Sequence, residues 1–267
     1  MQNETTIANI RESGLAQGAA GVDKRARLLQ DELGFRVADR AEYAVIASCF
    51  LPTMVPQAMK AFRRLLEHFG VDYTLLGREY CCGNMLYREA VDAKDEEVLK
   101  QADVLAREFI GNNLRQVGEV GASKIVAFCV GCDLTYDRLK GEIEQEVMWF
   151  PTLLARLFRG GKLELEADYY AGCHYYRRRL GSPPDLDSAL AVLERIEGLK
   201  LNQLDQHLCC MKPQQMESLL ASMQTRTVIT GCGGCWLFLQ NALKDRGDSR
   251  VLMLPEVVWA AVSGEPL

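Results

Sequence analysis

Two stretches, Lys124-Ile-Val-Ala-Phe-Cys-Val-Gly-Cys132 and Thr227-Val-Ile-Thr-Gly-Cys-Gly-Gly-Cys235, read alike: a short apolar run delivers a Cys-x-x-Cys unit at its C-terminal end, the pattern of a buried strand running into a turn. Working outward, each is preceded by an adjacent pair, Cys81-Cys82 and Cys209-Cys210, and before that by a single cysteine, Cys49 and Cys173. Cys49 closes the run Tyr43-Ala-Val-Ile-Ala-Ser, and Cys173 closes Asp168-Tyr-Tyr-Ala-Gly. Beyond the Cys-x-x-Cys units, Val147-Met-Trp-Phe-Pro151 matches Val251-Leu-Met-Leu-Pro255, 15 residues after Cys132 and 16 after Cys235. An ordered fivefold pattern occurring twice marks two copies of one unit.

Helical patterns lie between these strands. Met54 to Phe69 places Ala58, Ala61, Phe62, Leu65, Leu66 and Phe69 on one stripe, and Gly70 offers a stop. In the second copy Ala189, Val192, Leu193, Ile196 and Leu199 recur at spacings of three and four, after Pro183, Pro184 and the cap candidate Asp187. The alternation of strand and helix predicts an α/β fold: two pseudo-repeated units with short, mainly parallel sheets covered by helices, and cysteines at the C-terminal ends of the strands, where such sheets place ligands. The expected division is an N-terminal helical arm over 1–41, a first unit over 42–162 and a second over 163–267. Within the arm, Val22 to Leu33 suits an amphipathic helix using Leu28, Leu29 and Leu33, either a packing arm or tail, or a docking helix for a partner. The first unit's extra length, Asn84 to Gly118, favours helix, with Asp92, Lys94, Asp95, Glu96, Glu97 and Lys100 on a solvated face.

Composition narrows the function classes. The 267 residues are 48% hydrophobic and 25% charged, which fits a globular chain and excludes wholesale disorder. The formal charge of -5, from 36 acidic and 31 basic residues, argues against a nucleic-acid surface, which would be basic. No apolar run reaches the roughly 20 residues of a membrane helix, and the first residues carry no export signal; the expected location is cytoplasmic. There the ten cysteines are expected to serve metal ligation or redox chemistry rather than disulfides.

Tetrahedral zinc takes four ligands, so five cysteines per copy leave one over. Adjacent cysteines in extended backbone point apart, which suits a group with several metals better than one small ion. Soft thiolates select iron-sulfur clusters, zinc or copper(I), and these remain open on the residues alone. No G-x-G-x-x-G stands in a strand-helix setting, so electrons would have to pass to or from another protein.

The motifs Ser48-Cys49-Phe50, Tyr80-Cys81-Cys82-Gly83, Cys129-Val-Gly-Cys132, Gly172-Cys173-His174, Cys209-Cys210 and Cys232-Gly-Gly-Cys235 together resemble the doubled cysteine-rich (CCG) domain of the heterodisulfide reductase B-type subunit family, over about residues 42–260. The resemblance implies two non-cubane 4Fe-4S clusters, one on Cys49, Cys81, Cys82, Cys129 and Cys132, the other on Cys173, Cys209, Cys210, Cys232 and Cys235. It further implies an iron-sulfur catalytic subunit that works on a small-molecule disulfide, thiol or sulfane-sulfur substrate, with a substrate disulfide held between the clusters. The implied partners are a ferredoxin-like iron-sulfur subunit and a flavoprotein subunit. Two other readings stand beside it: a non-catalytic electron-transfer subunit of a flavin- or quinone-linked oxidoreductase, and a zinc-binding module. The chain departs from the family at Met211, where glycine is usual, and in the 21 residues between Cys210 and Cys232.

Among other residues, His174 beside Cys173 is a candidate proton donor to a leaving thiolate, or a hydrogen-bonding support for the cluster. Arg177, Arg178 and Arg179 offer either charge compensation and anion binding or a solvated basic turn, as does Lys212. His68 and His207 have no supporting constellation, and Trp149, Trp236 and Trp259 read as core or interface aromatics.

Overall fold

The computed structural model describes residues 2–267, so Met1, at the head of the expected arm, lies outside it. It contains two four-stranded parallel sheets with the same strand order. In the first, β1 (Tyr43–Ile46), β2 (Tyr73–Leu75), β3 (Lys124–Ala127) and β4 (Glu146–Trp149) are arranged β2-β1-β3-β4. In the second, β5 (Gly161–Tyr169), β6 (Ile196–Gln203), β7 (Thr227–Thr230) and β8 (Arg250–Met253) are arranged β6-β5-β7-β8. All neighbours run parallel, as strand-helix-strand connections require. The expected repeated α/β architecture is thus present, down to the permutation of strands.

The chain forms two compact units. The first comprises the described residues up to Pro56, with Gly70–Phe150 and Tyr176–Pro184; the second comprises Gln57–Phe69, Pro151–Tyr175 and Asp185–Leu267. In the first unit, β1 and β3 are fully buried after their opening residue, and the core gathers Ile46, Tyr87, Phe109, Ile125 and Tyr136. Asn84 to Gly118 forms the helices Asn84–Ala93 and Glu96–Glu119, the latter capped by Asp95, which accepts from Glu97 N and Val98 N. Its charged run is exposed as expected. The segment Val22 to Leu33 is α-helical over Val22–Arg27 and continues as a π-helical turn over Leu28–Glu32, burying Leu29 and Leu33. The Tyr176–Pro184 segment is fastened here by Arg177, whose guanidinium pairs with Asp133 and donates to Val130 O at 3.2 Å.

In the second unit, the helix Pro56–His68 buries Ala58, Met59, Ala61, Phe62, Leu65 and Leu66; Phe69, the last residue of the stripe read from sequence, falls beyond the helix and is half-buried. Arg64 meets Glu265 at 2.6 Å and lies over the Trp259 ring, and His68 packs edge-on to the same ring. Contrary to their helical spacing, Ile196 and Leu199 do not extend a helix: the helix Leu186–Glu194 ends at Arg195, and Ile196 opens strand β6. Arg195 is taken up by the carbonyls of Ala155 and Phe158 at 2.7 and 2.8 Å, which anchors the point of change.

The last helix, Leu254–Ser263, is entered through a reciprocal cap in which Glu256 accepts from Met253 N at 2.9 Å. Burial pushes this carboxyl up to about 7 from an ordinary 4.5. Because the folded value lies above the unfolded one, the unfolded chain loses this proton first. The corresponding stability, about 3 kcal/mol at most, is present below about pH 4.5 and lost as pH rises toward 7. Glu256→Gln is therefore expected to flatten the fall of the urea midpoint between about pH 5 and about pH 7; an unchanged slope would assign that fall to other groups.

Candidate functional site

Each cysteine set is built at the C-terminal ends of three adjacent strands. Cys49 follows the central β1, Cys81 and Cys82 lie between β2 and the helix Asn84–Ala93, and Cys129 and Cys132 open the helix Val130–Arg138 after β3. The second set repeats this after β5, β6 and β7, with Cys232 capping the helix Gly233–Leu243. All ten cysteines are free thiols, eight of them buried and Cys129 and Cys173 half-buried.

The first five sulfurs form a continuous chain of contacts. Cys49 Sγ lies 3.4 Å from Cys81 Sγ, and Cys81 with Cys82, Cys82 with Cys132, and Cys132 with Cys129 are close enough to set one another's ionisation. In the second set Cys210 and Cys235 approach to 3.6 Å, Cys235 also meets Cys232, and Cys173 meets Cys209. The structure therefore brings together the residues of each predicted quintet.

Crowding decides how these thiols ionise. Cys81 is raised well above the ordinary range, first by its hydrogen bond with Cys49, and Cys132 first by that with Cys129; burial adds to both. The hydrogen bond with Cys132 favours the Cys82 thiolate, but Cys81 and burial together outweigh it and push this thiol up to about 12. Cys129 is lowered instead, foremost by Cys132, and its sulfur accepts from Gly131 N at 3.3 Å at the helix N-terminus, where peptide N–H groups favour negative charge. Burial first of all pushes Cys173 up to about 12, and Cys210, Cys232 and burial raise Cys235. Five soft donors gathered at three strand ends, joined in a chain in the first unit and in two groups in the second, Cys173 with Cys209 and Cys210 with Cys235 and Cys232, without a disulfide, would suit a thiolate-bound metal group, since a cation favours the thiolate that crowding disfavours. Among the described residues, no three His, Cys, Asp or Glu side chains are arranged to hold a single metal ion.

Backbone conformation shapes the loops. Ser48 and Gly172, which immediately precede the lead cysteines, are both left-handed, at φ +81° and +97°. A Cβ at Gly172 would fall 2.8 Å from His174 Nε2 and 3.2 Å from Cys235 Sγ, so this glycine admits both groups. Gly83 is left-handed at φ +71°, and a Cβ there would meet Phe109 at 2.9 Å. Met211, in the corresponding place of the second unit, is not left-handed; the chain instead turns through Lys212 N to Cys209 O at 3.0 Å and enters the helix Pro213–Ala221. The departure from glycine is thus accommodated by a different turn.

Several residues that hold the loops carry no signal in the sequence. Glu79 and Arg25 grip the backbone before Cys49. Asn113 pairs with both backbone groups of Tyr80, at 2.7 and 2.8 Å, and Gln215 accepts from Cys209 N at 2.7 Å. Only their contacts across the fold identify them.

The other candidates separate clearly. His174 stands beside the second set, with Nε2 donating to Ala171 O at 2.8 Å. Arg177 is neither a solvated turn residue nor a partner of the second set: it is buried against Asp133 in the first unit. Lys212 covers the Tyr175 ring. His207 lines a cavity of about 270 Å³ with Tyr169, Ala171, Gln203 and Asp205. Trp149 is buried and Trp236 Nε1 donates to Val251 O.

The sequence model of the family described as "Cysteine-rich domain" (CCG) matches residues 43–137 and 167–218. Curated relatives include the D-type subunit of the Dihydromethanophenazine:CoB--CoM heterodisulfide reductase of Methanosarcina acetivorans, 27% identical over 207 residues, with 71% of this chain and 47% of that protein covered. Its counterpart from Methanosarcina barkeri is 26% identical over 204 residues, covering 70% and 47%. The chain spans about half the length of these relatives. Among solved structures, Picrophilus torridus aspartate racemase aligns with a TM-score of 0.36 at 12% identity, covering 84% of this chain and 92% of that one, a score too low to bear on fold or site. No helix among the described residues is long and apolar enough to cross a membrane.

The contrast between Gly83 and Met211 is testable in urea. Gly83→Ala is expected to lower the unfolding free energy by about 1–2 kcal/mol or more, from left-handed strain plus the Phe109 contact. Met211→Gly gains nothing and costs about 0.4–1 kcal/mol through the freer unfolded chain. A neutral Gly83→Ala would contradict the left-handed turn.

Proposed function

We propose that this chain, which belongs to the cysteine-rich (CCG) domain family, is the iron-sulfur subunit of a heterodisulfide-reductase-like complex. The observation that carries the reading is the convergence, in each unit, of five free thiols from the same three strand ends in the same order. The curated relatives are D-type subunits by name, and the closer assignment to the B type rests on the cysteine order.

In this reading Cys49, Cys81, Cys82, Cys129 and Cys132 hold one non-cubane 4Fe-4S cluster, and Cys173, Cys209, Cys210, Cys232 and Cys235 hold the other. When bound, such groups supply one-electron chemistry and a Lewis-acidic iron for sulfur. The residues of the chain do the rest. Cys129 and Cys232 stand at the N-caps of the helices Val130–Arg138 and Gly233–Leu243, and in the first of these Gly131 N donates to the Cys129 sulfur, so the helix N-termini favour thiolate charge. Burial of eight of the ten cysteines keeps water from most of the sulfurs. His174, next to Cys173, gives a proton to the thiolate released from a disulfide. Ten free thiols fit a reducing, cytoplasmic compartment. A ferredoxin-like iron-sulfur subunit and a flavoprotein subunit would carry electrons to and from the chain.

Two measurements test this. In anoxically purified protein, Cys82→Ser is expected to remove or convert the spectrum of the first set and leave that of the second; unaltered iron and spectrum would refute the assignment. His174→Gln should keep its iron while disulfide turnover falls about 100-fold, and an unchanged rate would make His174 structural. A cluster spectrum that ignores added disulfide and thiol would favour an electron relay, and zinc without iron would defeat both redox readings.

A further inference from the structure

We infer that Arg25 and Glu79 are positioning residues for the first cysteine set, forming a clamp that holds the Ser48-Cys49 turn in its strained, ligand-presenting shape. Its service to a cluster rests on the function proposed above, but the clamp itself is a property of this chain's own loop.

After β1 the backbone must reverse within three residues for Cys49 to reach Cys81, 3.4 Å away between sulfurs. It does so by placing Ser48 at φ +81°, a conformation that a side chain disfavours and that persists only when the surroundings over-determine it. The second unit makes the same turn with Gly172 at φ +97°, where no such restraint is required.

Ser48 is restrained through both of its peptide groups. The Glu79 carboxylate accepts from Ala47 N and Ser48 N, both at 2.8 Å. Arg25 donates through Nε to Ser48 O at 2.9 Å and through Nη2 to Glu79 at 2.7 Å. Arg25 is 9% exposed and Glu79 5%, so each charge depends on the other for its partner. The same N-terminal segment supplies Gln17, which donates to Cys49 O at 3.0 Å, and Gly14, whose carbonyl accepts from Cys81 N at 2.7 Å. The backbone from Ala47 N to Cys49 O is thereby held by side chains outside the cysteine set. Without Arg25, Ser48 O loses its donor, Glu79 is left buried and unpaired, and Ser48 relaxes toward ordinary φ, carrying Cys49 away from Cys81.

The test uses the full chain as Arg25→Met, Ser48→Gly and the double variant. In metal-free, reduced protein under anoxic conditions, iodoacetamide labelling of each cysteine is followed by peptide mass mapping. Arg25→Met is expected to speed labelling of Cys49 by about five- to thirtyfold, the equilibrium weight of one left-handed non-glycine residue, with Cys209 and Cys210 unchanged. Adding Ser48→Gly should bring the Cys49 rate back down, because glycine holds the turn unaided. On anoxic iron reconstitution, Arg25→Met should weaken iron retention by the first set alone, and Ser48→Gly should restore it. Unchanged Cys49 labelling in Arg25→Met would overturn the clamp, as would equal acceleration in both sets or failure of Ser48→Gly to rescue. If the wild-type chain takes up no iron, the cluster reading falls, while the labelling still decides the clamp.

Discussion

Five sulfur atoms must be delivered to one place from three strand ends, and that demand explains most of what each unit looks like. With the first strand in the middle of the order β2-β1-β3, the ends carrying Cys49, Cys81-Cys82 and Cys129 become neighbours, and β6-β5-β7 does the same for Cys173, Cys209-Cys210 and Cys232. The outer strands β4 and β8 carry no cysteine and complete the sheets. Parallel pairing puts all these ends at one edge, where the following helices begin and their N-terminal peptide groups favour negative charge. The crowding that packs the sulfurs together also resists their ionisation: Cys81 is raised first by Cys49 and Cys132 first by Cys129, and burial adds to both. Such a set is poised for a cation rather than for solvent.

The two units meet this demand by different local means. Before the lead cysteine, the second uses glycine and the first uses a serine gripped by Glu79 and Arg25. After the adjacent pair, the first uses Gly83 in a left-handed turn and the second uses Met211 and Lys212 in an ordinary one. Gly131, between the cysteines of the first Cys-x-x-Cys, leaves room for Asn84, whose Oδ1 lies 2.7 Å from where a Cβ would stand. Duplication preserved the placement of sulfur and left each loop to reach it separately.

Much of this was legible in the sequence because cysteine spacing and apolar strand runs are local signals. The ends of β1, β3, β5 and β7 fall where the cysteines place them, and the helix Pro56–His68 buries the predicted stripe except Phe69, which lies beyond its end. Strand β6 was not legible: Val192, Leu193, Ile196 and Leu199 keep helical spacing, and over so few residues periods of 3.6 and 2 overlap. Strand β2 spans only three residues and lacks a pattern. Arg177 reads as a neighbour of Cys173 because it is four residues away, yet its buried partner is Asp133. Arg25 and Glu79, 54 positions apart, carry no shared local signal; only the fold brings them to Ser48.

If each thiol quintet grips a multinuclear iron centre, the metal itself must say so. Iron and acid-labile sulfide determination on the anoxically isolated chain, with X-ray absorption at the metal edge, is the most direct measurement. About four irons and about four sulfides per quintet are expected, with iron-iron scattering. Zinc in their place, or isolated ions showing only metal-sulfur scattering, would contradict it.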